Sequence, residues 1–142
     1  MLGEPKYGWT NIKIGGKDGF HGGASYLDNV PVICLNAFIG SFENGTPASI
    51  EFDAEGWSFI LTATSFGAYV IVHKDKDPSI LYFENTDRIK LAKELVEDIE
   101  KYMDSWILWN PSSDEEDESL EQKQTIEKKL ERLKILIKEE NF

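Results

Sequence analysis

The chain has 142 residues and a formal net charge of −11, because 26 Asp and Glu outnumber 15 Lys and Arg. Hydrophobic residues make up 41% and aromatic residues 12% of it, which is enough to form one folded core and excludes a chain that is disordered throughout. The acidic balance argues against a nucleic-acid-binding protein, since binding a polyphosphate requires a basic surface that releases counterions.

Cysteine content and the N-terminal residues indicate the compartment. Cys34 is the only cysteine, so an internal disulfide is excluded and a reducing environment fits. Its neighbours Ile33 and Leu35 predict a buried thiol that acts as a small hydrophobic side chain. The first residues lack the basic and apolar blocks of a secretory signal, and no apolar run reaches the roughly 18 residues of a membrane span. We therefore expect a cytoplasmic protein that makes no membrane contact.

The first predicted element is a strand over residues 8–14, where side chains alternate in polarity before Gly15 and Gly16. The glycines that follow predict a flexible loop. Whether residues 15–27 are ordered does not follow from this pattern.

The segment "LDNVPVICLNAFIGSFENG" fits either a buried strand or a helix. Its central apolar run, residues 32–35, would suit a strand. Pro31 suits a first helical turn and Gly45 suits a helix end, with Asp28 or Asn29 as the cap. An apolar stripe at helical spacing comprises Leu35, Phe38, Ile39 and Phe42. We predict a helix over residues 30–43.

The apolar period then changes to two, which predicts an antiparallel β-meander. In "ASIEFD" the residues Ile50 and Phe52 face the core, while Glu51 and Asp53 face solvent. After the turn "DAEG", an even-numbered loop that pairs Phe52 with Trp57 keeps the apolar side chains on one side. That side comprises Ile50, Phe52, Trp57, Phe59 and Leu61. The strands "AYVIVHK" and "SILYF" follow, joined by the charged loop "DKDP".

A period near 3.6 returns in "NTDRIKLAKELVEDIEKYMDSWILW" and predicts a helix that ends before Pro111. Asn85 or Thr86 is its expected cap, and Asp87 suits the positive end of the helix dipole. We expect this helix to cover the apolar side of the sheet.

The carboxylates of residues 114–118 predict the start of a C-terminal helix, because they complement its unpaired N–H groups. Its apolar seam comprises Ile126, Leu130, Leu133 and Ile137, with Leu120 and Leu136 nearby. One amphipathic helix is marginal alone, so it must dock. The alternatives are its own domain, a homodimer through residues 117–139, or another protein. The predicted organisation is an α+β domain at 1–110 and an acidic connector with this helix at 111–142.

The residues that could carry chemistry form no recognisable catalytic pattern. His21 and His73 are too few for a zinc site, and nothing near Cys34 indicates an activated thiolate. "GGKDG" lacks the spacing of a phosphate loop. We expect no catalysis, no cofactor and no metal. An enzyme of unrecognised type would require polar residues to converge in a pocket.

Over residues 28–109, the helix followed by "TPASIEFDAEGWSFIL", "AYVIVHK" and "LAKELVEDIEKYMDSW" resembles small bacterial immunity proteins of polymorphic and contact-dependent toxin systems. The resemblance lies in the arrangement and carries no functional residue across. It implies a cytoplasmic protein that binds a toxin domain, often a basic nuclease, and blocks its active site.

The first hypothesis is therefore a non-catalytic acidic protein-binding module, with a toxin-neutralising immunity protein as its specific form. The second is an assembly subunit that dimerises through its C-terminal helix. Candidate partner-binding residues are Glu51, Asp53 and Glu55 near the first hairpin turn and Asp75 and Asp77 in the charged loop. The expected fold class is α+β, with a meander of about four to five strands and helices on one face.

Overall fold

Two antiparallel sheets and a layer of helices make up the computed structural model, which describes residues 1–25, 28–109 and 116–140. The strands are β1 (Trp9–Ile14), β2 (Phe20–Ser25), β3 (Ala48–Asp53), β4 (Ser58–Ala63), β5 (Ala68–His73) and β6 (Ser79–Phe83). The helices are α1 (Val30–Asn44), α2 (Arg88–Lys101), α3 (Met103–Ile107) and α4 (Glu116–Glu140). The predicted α+β class, with its meander and C-terminal helix, is confirmed.

The N-terminal segment is a hairpin in which β1 pairs with β2, from Trp9 opposite Ser25 to Ile14 opposite Phe20. The strand predicted at 8–14 is confirmed, but the flexible loop predicted after it was wrong for residues 20–25. The sequence prediction missed β2, because its glycines weaken the pattern that predicts a strand. Packing requires one of them: a Cβ at Gly22 would lie 2.7 Å from the Phe59 ring.

The segment that fitted either a strand or a helix is the helix α1, as predicted. Pro31 lies in its first turn, and Gly45 ends it with a left-handed φ of 65°. α1 packs against β3 on one side and α4 on another. Two contacting sides explain why its sequence is apolar around much of its circumference.

The strands β3–β6 form a four-stranded sheet in sequence order, which is the predicted meander. The predicted pairing of Phe52 with Trp57 was wrong, because Phe52 pairs with Phe59. The turn is four residues long and is closed by a hydrogen bond of 2.9 Å from Ala54 N to Trp57 O. A shift of two residues preserves which face each side chain occupies, so the predicted buried side is correct.

The helix after the meander begins one or two residues later than predicted. Asp87 is its N-cap, in place of Asn85 or Thr86, and its side chain accepts a hydrogen bond of 2.9 Å from Lys90 N. The helix is interrupted at Tyr102, after which α3 carries the buried Trp106. α3 ends at Ile107, so the helical segment ends before Pro111, as predicted.

The cover of the sheet also differs from the prediction. The main neighbours of α2 are α1, α3 and α4, while α1 and the β1–β2 hairpin contact β3. Phe20 of the hairpin lies on Phe59, with ring centroids 4.8 Å apart. The apolar side of the sheet is therefore covered jointly by α1 and the β1–β2 hairpin.

The C-terminal helix α4 docks on its own chain, against α1, α2 and α3. Its buried seam is Ile126, Leu130, Leu133, Leu136 and Ile137, whereas Leu120 is exposed. Lys134 pairs with Glu100 of α2, and this hydrogen bond raises the pKa of Lys134. The seam that suggested a homodimer through 117–139 is thus occupied within the chain.

The predicted start of the C-terminal helix lies only partly within the described residues. Residues 114 and 115 of the predicted helix start lie outside the described residues, and α4 begins at Glu116. None of the helices described here combines the length and the apolar character that a bilayer crossing requires.

Candidate functional site

The outer face is the side of the four-stranded sheet that points away from the core. The register places Ser49, Thr62, Tyr69 and Tyr82 in a row near the β4–β5 turn. Glu51, Ile60, Ile71 and Ile80 form the middle row. Asp53, Ser58 and His73 form the row near the β3–β4 turn. The outer face is therefore acidic on β3 and apolar in the middle of β4–β6, with the polar Ser58, Thr62 and His73 beside the apolar residues.

The apolar patch consists of Ile60, Tyr69, Ile71, Ile80 and Tyr82. Tyr69 and Tyr82 are direct cross-strand partners whose ring centroids lie 4.7 Å apart. Ile80 is 66% exposed and Tyr82 is 48% exposed, so the patch meets solvent most fully on β6. Three adjacent strands hold these side chains, which fixes their spacing.

The β4–β5 turn places an additional aromatic residue beyond the patch. Phe66 is 83% exposed, and its backbone N–H donates a hydrogen bond of 3.1 Å to Thr64 Oγ1. The same hydroxyl donates to Gly67 O at 2.9 Å, so the turn is closed by its own side chain. Phe66 is thus presented on an ordered turn.

A cleft of about 370 Å³ lies between this turn and the loop after α1. Arg88 lines it but is a structural group. Its Nη1 donates hydrogen bonds of 3.2 Å to both Ser41 O and Thr46 O, and its Nη2 pairs with Glu140 at 2.9 Å. These contacts commit the guanidinium to joining the ends of α1, α2 and α4.

The five acidic candidates lie at one end of the sheet or on its first strand. The β3–β4 turn and the β5–β6 loop share that end, because Ser58 pairs with both Asp53 and His73. Glu51 and Asp53 lie on the outer face of β3, and Asp53 Oδ1 accepts a hydrogen bond of 2.7 Å from Glu55 N.

Asp75 and Asp77 lie in the exposed β5–β6 loop. Lys74 of this loop lies 5.1 Å from the Trp57 ring centroid, which connects the loop to the β3–β4 turn. The meander therefore brings Glu55, Asp75 and Asp77 to the same end, where Lys74 and Lys76 partly balance their charge.

The groups considered for catalysis are kept apart. His21 lies on β2 and His73 on β5, in different sheets. Cys34 is fully buried in α1, so the buried thiol predicted from the sequence is confirmed, and burial raises the pKa of this thiol. Among the residues that the structure describes, no three His, Cys, Asp or Glu side chains are placed to hold a metal ion.

Comparison with known proteins gives no match to this chain, whether to a family model, a curated protein or a solved structure.

The sequence prediction located the acidic part of this face and missed the apolar patch. It assigned a single wet face to the meander, which is correct for β3. The signal for the patch was present in "AYVIVHK" and "SILYF", where consecutive apolar residues leave neither face polar. That loss of alternation indicates that both faces of these strands carry apolar residues, without indicating which of them face outward.

Proposed function

We propose that this chain is a non-catalytic protein-binding module that receives its partner on the outer face. The apolar patch is the observation that carries the proposal. Single exposed apolar residues are ordinary, whereas a contiguous set on one sheet face marks an interaction surface. Tyr82 and Ile80 are the expected anchors, because aromatic and large apolar side chains dominate the binding energy of interfaces.

The expected partner combines an apolar contact surface with basic residues. Glu51 and Asp53 lie beside the apolar patch on the same face, and the chain as a whole carries a charge of −11. Such a field accelerates encounter with a cationic protein and loses its effect as salt is added. The apolar patch would supply affinity, and the acidic margin would supply orientation and association rate.

The specific form that we propose is an immunity protein that binds and blocks a cognate toxin domain. The resemblance in element arrangement and the acidic surface support this form. If the toxin is a basic nuclease, acidic side chains such as Glu51 and Asp53 would occupy positions that otherwise receive phosphates. The protein would act in the cytoplasm and need no cofactor.

The product of the adjacent gene is the partner to test first, by titration calorimetry against wild type and Tyr82→Ala. Truncating an interface anchor costs about 2 kcal/mol, so Tyr82→Ala should weaken binding roughly thirty-fold. Ile135→Ala, at an exposed position on α4, is the matched control and should bind like wild type.

Two further readouts decide between the general and the specific proposal. Co-expression with the adjacent gene product should restore growth for wild type and fail for Tyr82→Ala. Binding without growth rescue would leave a binding module but refute toxin neutralisation. If no binding is detected even at low salt, where steering is strongest, the proposed function is wrong.

A further inference from the structure

The edge strand β6 is open along one side. It pairs with β5, and within residues 1–25, 28–109 and 116–140 no other strand pairs with its second edge. Its sequence SILYF has high β-propensity and contains no charge, glycine or proline. Proteins usually protect such edges with inward-pointing charges, prolines or a covering element.

The inward-facing side of this strand is also unusual. Leu81 points to the side of the sheet that carries the core, yet it is 40% exposed. It is not among the side chains that pack against the core. Leu81, at the centre of an edge strand, is therefore left partly open to solvent.

We infer that a second copy of this chain occupies this edge, through antiparallel pairing of β6 with β6 centred on Leu81. The two four-stranded sheets would then form one continuous sheet. In this register Ile80 lies opposite Tyr82 of the second copy on the outer face. Aromatic and β-branched side chains opposite each other are favourable cross-strand pairs.

The residues that flank β6 carry charges of both signs. Lys76 and Asp77 precede the strand and Glu84 follows it. Antiparallel pairing centred on Leu81 brings Lys76 of each copy near Glu84 of the other, within reach of diagonal neighbours. The strand is therefore complementary to itself in its apolar pattern, and Lys76 offsets part of the repulsion between Asp77 and Glu84 across the pair.

Net charge opposes this association and gives it a distinctive salt dependence. Each copy carries −11, but the β5–β6 loop contains two Lys and two Asp and is locally neutral. The repulsion between the two net charges is long-ranged at low ionic strength and is screened as salt is added, since the Debye length falls to about 8 Å at physiological ionic strength. Added salt should therefore strengthen the dimer, whereas it should weaken binding of a basic partner.

The dimer would be joined through the backbone edge of β6, and the side chains that it shares with the proposed partner surface are Ile80 and Tyr82. Directly opposite residues in an antiparallel pair lie on the same side of a sheet. The two apolar patches would therefore be adjacent on one side of the continuous sheet. A monomer that still binds its partner would refute the dimer alone.

Sedimentation velocity over a concentration series tests the inference, with Leu81→Lys as the disrupting variant. In the paired register the introduced ammonium would face its own copy, and like charges directly opposite are unfavourable. The dimer dissociation constant should rise at least roughly ten-fold. Ile135→Lys on α4 is the matched control and should dimerise like wild type.

A monomeric wild type at every concentration and salt would overturn the inference. Loss of the dimer in Ile135→Lys but not in Leu81→Lys would instead place the interface on α4. Because a variant can misfold, amide hydrogen exchange of wild type provides a second measurement. Exchange at 79–83 should slow as concentration rises, and unchanged exchange in a dimeric sample would exclude pairing through β6.

Discussion

Substitution of Leu133 tests whether α4 is part of the core or an appendage. Leu133 is fully buried on the seam of α4. Leu133→Ala removes apolar carbons worth about 0.8 kcal/mol each and leaves a cavity, so the expected loss of unfolding free energy is about 2–5 kcal/mol. With a urea m-value of about 2 kcal/mol/M, the midpoint should fall by roughly 1–2.5 M.

The assay is urea denaturation followed by both far-UV circular dichroism and tryptophan fluorescence. Trp106 and Trp109 are buried in and beside α3, which contacts α4, so fluorescence reports the core while dichroism reports all helices. We expect one coincident transition in wild type and a shifted, still coincident transition in Leu133→Ala. The free energy of unfolding of Ile135→Ala, on the exposed side of α4, should lie within about 0.5 kcal/mol of the wild-type value.

Two outcomes would refute this reasoning. An unshifted fluorescence transition in Leu133→Ala would show that α4 unfolds without disturbing the core. Separate dichroism and fluorescence transitions in wild type would show that α4 is an independent unit.

Two other comparisons probe contacts that hold the scaffold of the outer face. Gly15→Ala should destabilise the chain in thermal unfolding by about 1–3 kcal/mol more than Gly16→Ala. Both glycines have positive φ, but only a Cβ at Gly15 would meet the Phe83 ring, at 2.3 Å. Equal losses of stability in the two variants would contradict that contact. Arg88→Met should lower the free energy of unfolding in urea by about 3–5 kcal/mol, since it removes buried hydrogen bonds. Glu140→Gln should lower it by less than about 1 kcal/mol, because the Glu140 side chain is 40% exposed. Similar losses in the two variants would mean that the ion pair dominates.

Much of the fold could be predicted because period and end signals agree in the longer elements. Pro31 and Gly45 delimit α1, and the spacing of Ile126, Leu130 and Leu133 identifies the buried seam of α4. These signals are local, so the sequence displays them directly. What lies against the seam is decided by tertiary packing, and the sequence left three alternatives.

The errors arose where a local rule met a tertiary constraint. The sequence around Gly22 predicts a loop, yet Gly22 lies inside β2, where close contact with Phe59 requires a residue without a Cβ. The even turn length was predictable from side-chain parity, but parity cannot distinguish Phe52 opposite Trp57 from Phe52 opposite Phe59.

The candidate site was predicted only on its acidic side. Glu51 and Asp53 alternate clearly with buried residues on β3, so their exposure could be read from the sequence. Ile71 and Ile80 look like core residues in isolation, and only the register of β4–β6 shows that they share the outer face with Tyr82.

The most direct test of partner docking on the outer face is a methyl NMR titration of isoleucine-labelled protein with the adjacent gene product. Ile60, Ile71 and Ile80 report the apolar patch, while exposed Ile135 on α4 and buried Ile126 serve as internal references. We predict that the three patch methyl signals shift or broaden and that the two references do not. Perturbation centred on Ile135, with the patch signals unchanged in a saturated complex, would contradict the account.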